Sequence, residues 1–244
     1  MTRFFVSPGD VSGDTVTLSG EDLDHIRALR IKSGEGFVAC TGDGREFLCE
    51  LVSAEKGSAS ARIVKETASQ GEPRVRCTVF AAWAKGERLD FAVQKCTELG
   101  AHDIVLFPSK RCVARPDEKS AEKKIARLQK IAREAAQQSG RGIIPQVYAV
   151  RTFKEAAELA SGSDVPIFCY EEEREKGIIS ALREKENVNC VSVMTGPEGG
   201  FEPSEVEEAK SLGLIPVSLG RRILRCETAP MFALTAVMLH TENL

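Results

Sequence analysis

The 244-residue sequence lacks most of the signals that assign a chain quickly. Its longest apolar stretch, Pro230 to Leu239, holds about half of the ~20 residues a membrane helix needs, so no membrane partner is expected. With only three histidines and no CxxC pair, the eight cysteines (40, 49, 77, 96, 112, 169, 190 and 226) have no metal-site spacing. They read as reduced thiols in core strands and helices, and no metal is expected. No Gly-x-Gly-x-x-Gly follows a strand-like run, and the dipeptide Gly-Lys is absent, which argues against a dinucleotide dehydrogenase or a P-loop nucleotidase. The missing Gly-x-Ser-x-Gly elbow leaves acyl-transfer hydrolysis without support. Low complexity is absent too: 42% hydrophobic and 28% charged residues, with Gly 20 and Pro 10, describe a soluble globular chain of one or two domains, two being preferred. The opening Met1-Thr2-Arg3-Phe4-Phe5 runs into polar sequence without a signal-peptide layout, so a cytoplasmic location is expected.

What is there is unevenly charged. The formal net charge of −3 argues weakly against a nucleic-acid partner, but residues 110–141 hold ten basic against four acidic residues, a local +6. Arg221, Arg222 and Arg225 form a second focus, whereas 151–190 has six basic and nine acidic residues. Concentrated positive charge fits a surface that meets phosphates, although a solvated helix face gives the same count.

Residues 1–70 read as short strands (Arg3–Val6, Thr15–Leu18, Phe37–Cys40, Glu46–Val52, Ala59–Val64) with Gly-rich turns, the pattern of a small β-barrel. One helix interrupts them, with Leu23, Ile26 and Leu29 on its buried face. The polar segment Thr67–Pro73 sets a boundary between domains 1–72 and 73–244. Beyond it, strands at 75–83, 104–107, 167–170, 190–195 and 216–219 alternate with helices at 88–99, 120–138, 153–160, 177–185, 203–212 and 228–240, an α/β fold with a mainly parallel sheet covered on both faces. In helix 120–138, Ile125, Leu128, Ala132 and Ala135 form a packing stripe, and Lys123, Arg127 and Lys130 a basic one.

Two segments look like a site, because open parallel sheets bind ligands beyond the carboxyl ends of their strands. Gly196-Pro197-Glu198-Gly199-Gly200-Phe201 has more glycine than a turn needs; the missing side chains would let a flat ligand approach, with the Glu198 carboxylate at the rim. Leu219–Ala229 brings arginines, a carboxylate and apolar side chains together where the next strand ends and the last helix begins.

Together these segments resemble the C-terminal signature of the SPOUT superfamily. Lys85-Gly86, Asp90, Gln94–Gly100, Gln138–Arg141 with Pro145, and the opening Arg3-Phe4-Phe5 and His25–Arg30 are similar to the RsmE family of ribosomal RNA methyltransferases over nearly the whole chain. The resemblance implies an N-terminal PUA-like β-barrel RNA-binding domain, a C-terminal methyltransferase domain with a trefoil knot that binds S-adenosylmethionine, and a homodimer that methylates N3 of one uridine in 16S ribosomal RNA. The substrate is the free RNA or the assembled small ribosomal subunit. Gln137, where a glutamate is usual, and Cys226, in place of a threonine, depart from the family pattern.

On this reading Gly196, Gly199, Gly200, Leu219, Gly220, Ile223, Leu224 and Ala229 hold the donor. Arg225 stabilises the deprotonated base, and the proton goes to Glu227, Glu198 or water. Arg3, Arg27 and Arg30 of the barrel and Lys123, Arg127, Lys130 and Arg141 contact RNA. The rivals are a non-catalytic RNA-binding or ribosome-assembly factor and a SPOUT enzyme acting on transfer RNA.

Overall fold

The computed structural model describes residues 1–241, in two compact units. The first comprises Met1–Glu72 together with Ala136–Ile144. Its strands are β1 (Arg3–Phe5), β2 (Val11–Ser12), β3 (Thr15–Leu18), β4 (Gly36–Cys40), β5 (Arg45–Ala54) and β6 (Ala59–Ala68), with helix α1 (Gly20–Ala28) between β3 and β4. They form one sheet in the order β1-β4-β5-β6-β3-β2, antiparallel except for the β1–β4 pair. Alternation decides which side chains go inward: Phe47, Cys49 and Leu51 of β5 are buried, and Phe4 meets Phe37 edge-on at 5.2 Å. Helix α1 buries Leu23 and Ile26 as its spacing predicts. Leu29 does not join them: it is the residue that ends the helix, and it is 47% exposed.

The inserted 136–144 segment explains a second departure. Arg141 counts toward the local +6 of residues 110–141, yet it is 2% exposed, and its Nη2 lies 2.6 Å from Glu72 Oε2. The amides of Gly142 and Ile143 donate to Glu72 Oε1 at 2.9 and 3.1 Å. A buried arginine held this way is part of the interior of its unit, so the assignment of Arg141 to RNA phosphates is corrected. Arg3 is similarly engaged: its side chain is 12% exposed and its Nη1 lies 2.6 Å from Glu46 Oε1. Unlike Arg141 it is only partly buried, so part of its side chain still reaches the surface. Gln137 donates to the Arg3 carbonyl at 3.4 Å, a structural bond for the residue that departs from the family pattern.

The second unit comprises Pro73–Ala135 and the chain from Pro145 onward. Strands β7 (Arg76–Ala82), β8 (Asp103–Phe107), β9 (Gln146–Ala149), β10 (Val165–Cys169), β11 (Cys190–Thr195) and β12 (Ile215–Val217) form a wholly parallel sheet in the order β12-β10-β11-β7-β8-β9. Residues of β10 and β11 pointing either way are buried, which requires cover on both faces. Helices α2 (Arg88–Glu98), α5 (Ile178–Arg183) and α7 (Thr228–His240) form one contacting group, and α4 (Phe153–Ser161) and α6 (Pro203–Ser211) another. Helix α3 (Glu118–Ser139) buries Leu128, Ala132 and Ala135 and exposes Lys123, Arg127 and Lys130. After β9 the chain returns across the sheet to β10, and β11 then enters between β10 and β7. Such a reversal leaves a crevice at the strands' carboxyl ends.

Candidate active site

The loops that leave the carboxyl ends of β10, β11 and β12 meet in one cavity of about 600 Å³, within the range that holds a cofactor-sized ligand. Its walls include Gly196, Gly199, Gly200, Leu219, Gly220, Ile223, Leu224 and Ala229 together with Glu198, Arg225 and Glu227. Residues from two separate segments, the first ending at Phe201 and the second starting at Leu219, are thus neighbours, because β10, between β11 and β12, brings the ends of the two strands close.

The glycines of the first loop owe their identity to packing within the protein rather than to open space. A side chain on Gly196 would press on the Phe201 ring at 3.0 Å, and one on Gly199 would lie 3.1 Å from Arg111 Cβ. At Gly200, where φ is +68°, it would collide with Glu171 Oε1. Phe201 is buried and stacks among Phe107, Phe153 and Phe168, its centroid 4.4 Å from that of Phe168, so the loop is anchored from below. Gly220 is different: φ is +109° and nothing lies within 4 Å of where its side chain would begin. This exposed glycine of the second loop has no packing neighbour on that side.

The ionic arrangement is asymmetric. Glu198 accepts the Lys85 N–H at 3.1 Å and the Arg88 guanidinium on the same oxygen. Burial works to raise the Glu198 carboxyl, but the N–H groups of Glu198 itself and Lys85, with Arg88, outweigh it and hold the group below its usual range. Arg88 Nε also lies 3.9 Å from Glu227 Oε2, and Arg225 Nη1 is 4.0 Å from Glu227 Oε1. The Glu227 side chain is 14% exposed and that of Arg225 is 84% exposed, a sheltered carboxylate beside a solvated cation. Cys226 Sγ sits 3.3 Å from Glu227 Oε2; burial, helped by that carboxylate, pushes the thiol up to about 12, so it stays protonated.

The surrounding loops are braced. Arg111 Nε bonds Glu202 at 2.8 Å and its Nη1 donates to the Gly199 carbonyl at 3.2 Å. Buried Glu205 accepts from the Ser109 hydroxyl and the Lys110 amide at 3.0 and 2.9 Å, tying the loop after β8 to the start of α6. Lys124 Nζ donates to the Ala84 carbonyl at 3.1 Å and lies over the Trp83 ring.

Relatives place this arrangement. The family model described as "RNA methyltransferase domain" matches residues 71–238, and "RNA methyltransferase PUA domain" matches 18–64. The chain is 36% identical to the ribosomal RNA small subunit methyltransferase E of Bacillus subtilis, covering 94% of this chain and 92% of that one. It is 34% identical to the protein of the same name from Mesomycoplasma hyopneumoniae, over 96% and 98%. The chain belongs to the ribosomal RNA small subunit methyltransferase E family. A crystal structure of the Neisseria gonorrhoeae member of this family, bound to S-adenosylmethionine, superposes with a TM-score of 0.84 at 30% identity, covering 98% of this chain and 97% of that one. A Legionella pneumophila methyltransferase in complex with the same cofactor gives 0.85 at 28%, over 98% and 97%. For a member of this family, the fold is a mixed α/β one with a PUA domain followed by a methyltransferase domain.

Sequence reasoning missed six lining residues, Arg88, Cys169, Tyr170, Glu171, Thr195 and Ser218, of which the charged Arg88 and Glu171 and the phenol of Tyr170 matter most. Arg88 stands two residues from the Lys85-Gly86 motif, but its partner Glu198 is 110 positions away, a pairing that only the fold brings about. Tyr170 and Glu171 follow β10, a strand whose downstream acidic run gave no reason to expect a cavity wall. Of the other basic candidates, Arg27 and Arg30 are exposed in the first unit and Lys123, Arg127 and Lys130 in the second; Arg127 Nη2 lies 2.6 Å from Asp90.

Proposed function

We propose that this chain transfers the methyl group of S-adenosylmethionine to N3 of one uridine in the 16S ribosomal RNA of the small subunit. The observation that carries the reading is the single cavity walled by both the glycine loop and the arginine loop, in a chain whose Neisseria relative holds S-adenosylmethionine. A non-catalytic RNA binder has no use for such a cavity. The donor supplies an electrophilic methyl on a sulfonium, so no Lewis acid is required of the protein. Gly196, Gly199, Gly200, Leu219, Gly220, Ile223, Leu224 and Ala229 hold it.

Uracil N3 lies on the pairing edge, and the base must be unpaired or splayed out before it reaches the cavity. Loss of its proton leaves negative charge on the flanking carbonyl oxygens, which the solvated Arg225 guanidinium stabilises without giving up a proton. Glu227 is the better proton acceptor of the two carboxylates, since Glu198 already accepts two hydrogen bonds on one oxygen and is held acidic. Arg27, Arg30, Lys123, Arg127 and Lys130 meet phosphates, and the first unit acts as a PUA-like barrel that grips the RNA.

In this reading the return of the chain from edge strand β12 to α7, which packs on β7 and β11, threads a trefoil knot. Exposed Phe232 and Leu239 of α7 and Phe91 of α2 supply the apolar face of a homodimer, and the enzyme works in the cytoplasm. Mass mapping of ribosomal RNA from a deletion strain tests the function. One 3-methyluridine is expected to vanish from the 16S species and to return on complementation; an unaltered 16S map, or loss of a mark from transfer RNA, contradicts it.

A further inference from the structure

The geometry points to Arg88 as a positioning residue that assigns different tasks to the two carboxylates of the cavity. The inference rests on the methyl transfer proposed above and adds a residue to it. Arg88 opens α2, and Leu89, Ala92 and Val93 behind it are buried, so the guanidinium is presented by an anchored helix. From there it meets carboxylates on two different loops: it donates to Glu198 Oε1, and its Nε lies 3.9 Å from Glu227 Oε2. The two partners are not equivalent. Glu198 Oε1 also takes the Lys85 amide at 3.1 Å, from a loop propped by Lys124 on the adjoining Ala84 carbonyl. Glu227 keeps an ion-pair distance from Arg88 and Arg225, and its Oε1 accepts no hydrogen bond among the described residues.

A proton acceptor needs a lone pair free for the substrate, and two carboxylates left together would compete for one proton. Arg88 removes that competition. It ties Glu198 into the wall by a hydrogen bond, and its remaining field holds Glu227 in place beside Arg225 without occupying Oε1. Arg88 therefore acts through Glu227 rather than on the substrate. A plain cross-link between loops would instead show itself in donor affinity and stability.

The test uses the full chain and its R88Q, R88K, E198Q and E227Q variants. S-adenosylmethionine binding is measured by calorimetry, and methyl transfer to small-subunit ribosomal RNA at saturating donor. R88Q is expected to bind the donor within about threefold of wild type while kcat falls about tenfold or more. R88K, which keeps the charge, returns kcat to within about threefold of wild type. E198Q costs less than E227Q. Donor affinity falling in step with kcat in R88Q, R88K no better than R88Q, or E198Q as damaging as E227Q would each overturn the assignment. A wild-type chain that binds donor but methylates no ribosomal RNA would instead overturn the proposed function, so the two failures are separable.

Discussion

The two loops that form the cavity are built in opposite ways. The glycine loop after β11 is anchored: Phe201 lies in an aromatic cluster, Arg111 and Lys85 bind it from other elements, and each of its glycines faces a neighbour. The arginine loop after β12 is open, with Ile223 at 74% exposure, Arg225 solvated and Gly220 facing empty space. One wall is finished before a ligand arrives, while the other presents groups with little to hold inside the protein. Pre-organisation belongs where the ligand must be oriented, because alignment of reacting groups is worth up to ~7–11 kcal/mol. Exposed cations belong where a polyanion must be met.

The contrast predicts that damage to the first loop appears in stability and damage to the second in turnover. Phe201→Ala should cost about 3–5 kcal/mol in denaturant unfolding, because it empties the centre of the aromatic cluster. A cost near zero would mean that the loop is not anchored. Arg225→Ala should leave the unfolding free energy within about 0.5 kcal/mol of wild type while methyl transfer falls on the order of 10²-fold, with donor binding retained. Full activity would remove Arg225 from the chemistry. Gly200→Ala forces a side chain into a positive-φ position against Glu171 and should cost about 1–2 kcal/mol together with most donor affinity. An unchanged calorimetric titration would break the comparison from the other side.

Smaller effects sharpen it. Neutralising Lys123, Arg127 and Lys130 together should weaken RNA binding and flatten its salt dependence by about one unit of slope for each cation that meets a phosphate. An unaltered slope would return that helix face to plain solvent. For Glu198 the folded carboxyl is held below its ordinary value of 4.5, so its contribution to stability is present above that pH and fades as pH falls through the lower folded value. Glu198→Gln should therefore be slightly less stable than wild type at neutral pH, and the two unfolding curves should converge in acid. A difference that persists in acid, once the carboxyl is protonated in both states, would assign the effect to packing instead.

Much of this was legible in the sequence where local chemistry decides the outcome. Strand Cys190–Thr195 and helix Thr228–His240 match to the residue, since Gly196-Pro197 ends the first and a mostly apolar run defines the second. Strand β2 escaped notice because two residues show no alternation, and β9 because Gln146–Ala149 is half polar. The membership of the cavity could be read because glycines and arginines cluster at two strand ends. What each glycine faces could not, since Phe201, Arg111 and Glu171 come against them only through the fold. A count of charges also treats every arginine alike: nothing in 110–141 marks Arg141 as buried, because its partner Glu72 lies 69 positions away.

The central claim is that the glycine and arginine loops make one binding site for a sulfonium methyl donor. Calorimetric titration of the purified full chain with S-adenosylmethionine tests it most directly. The account predicts saturable binding at one site per chain, strongly weakened in Gly200→Ala and preserved in Arg225→Ala. Absence of binding, with and without ribosomal RNA present, would contradict it.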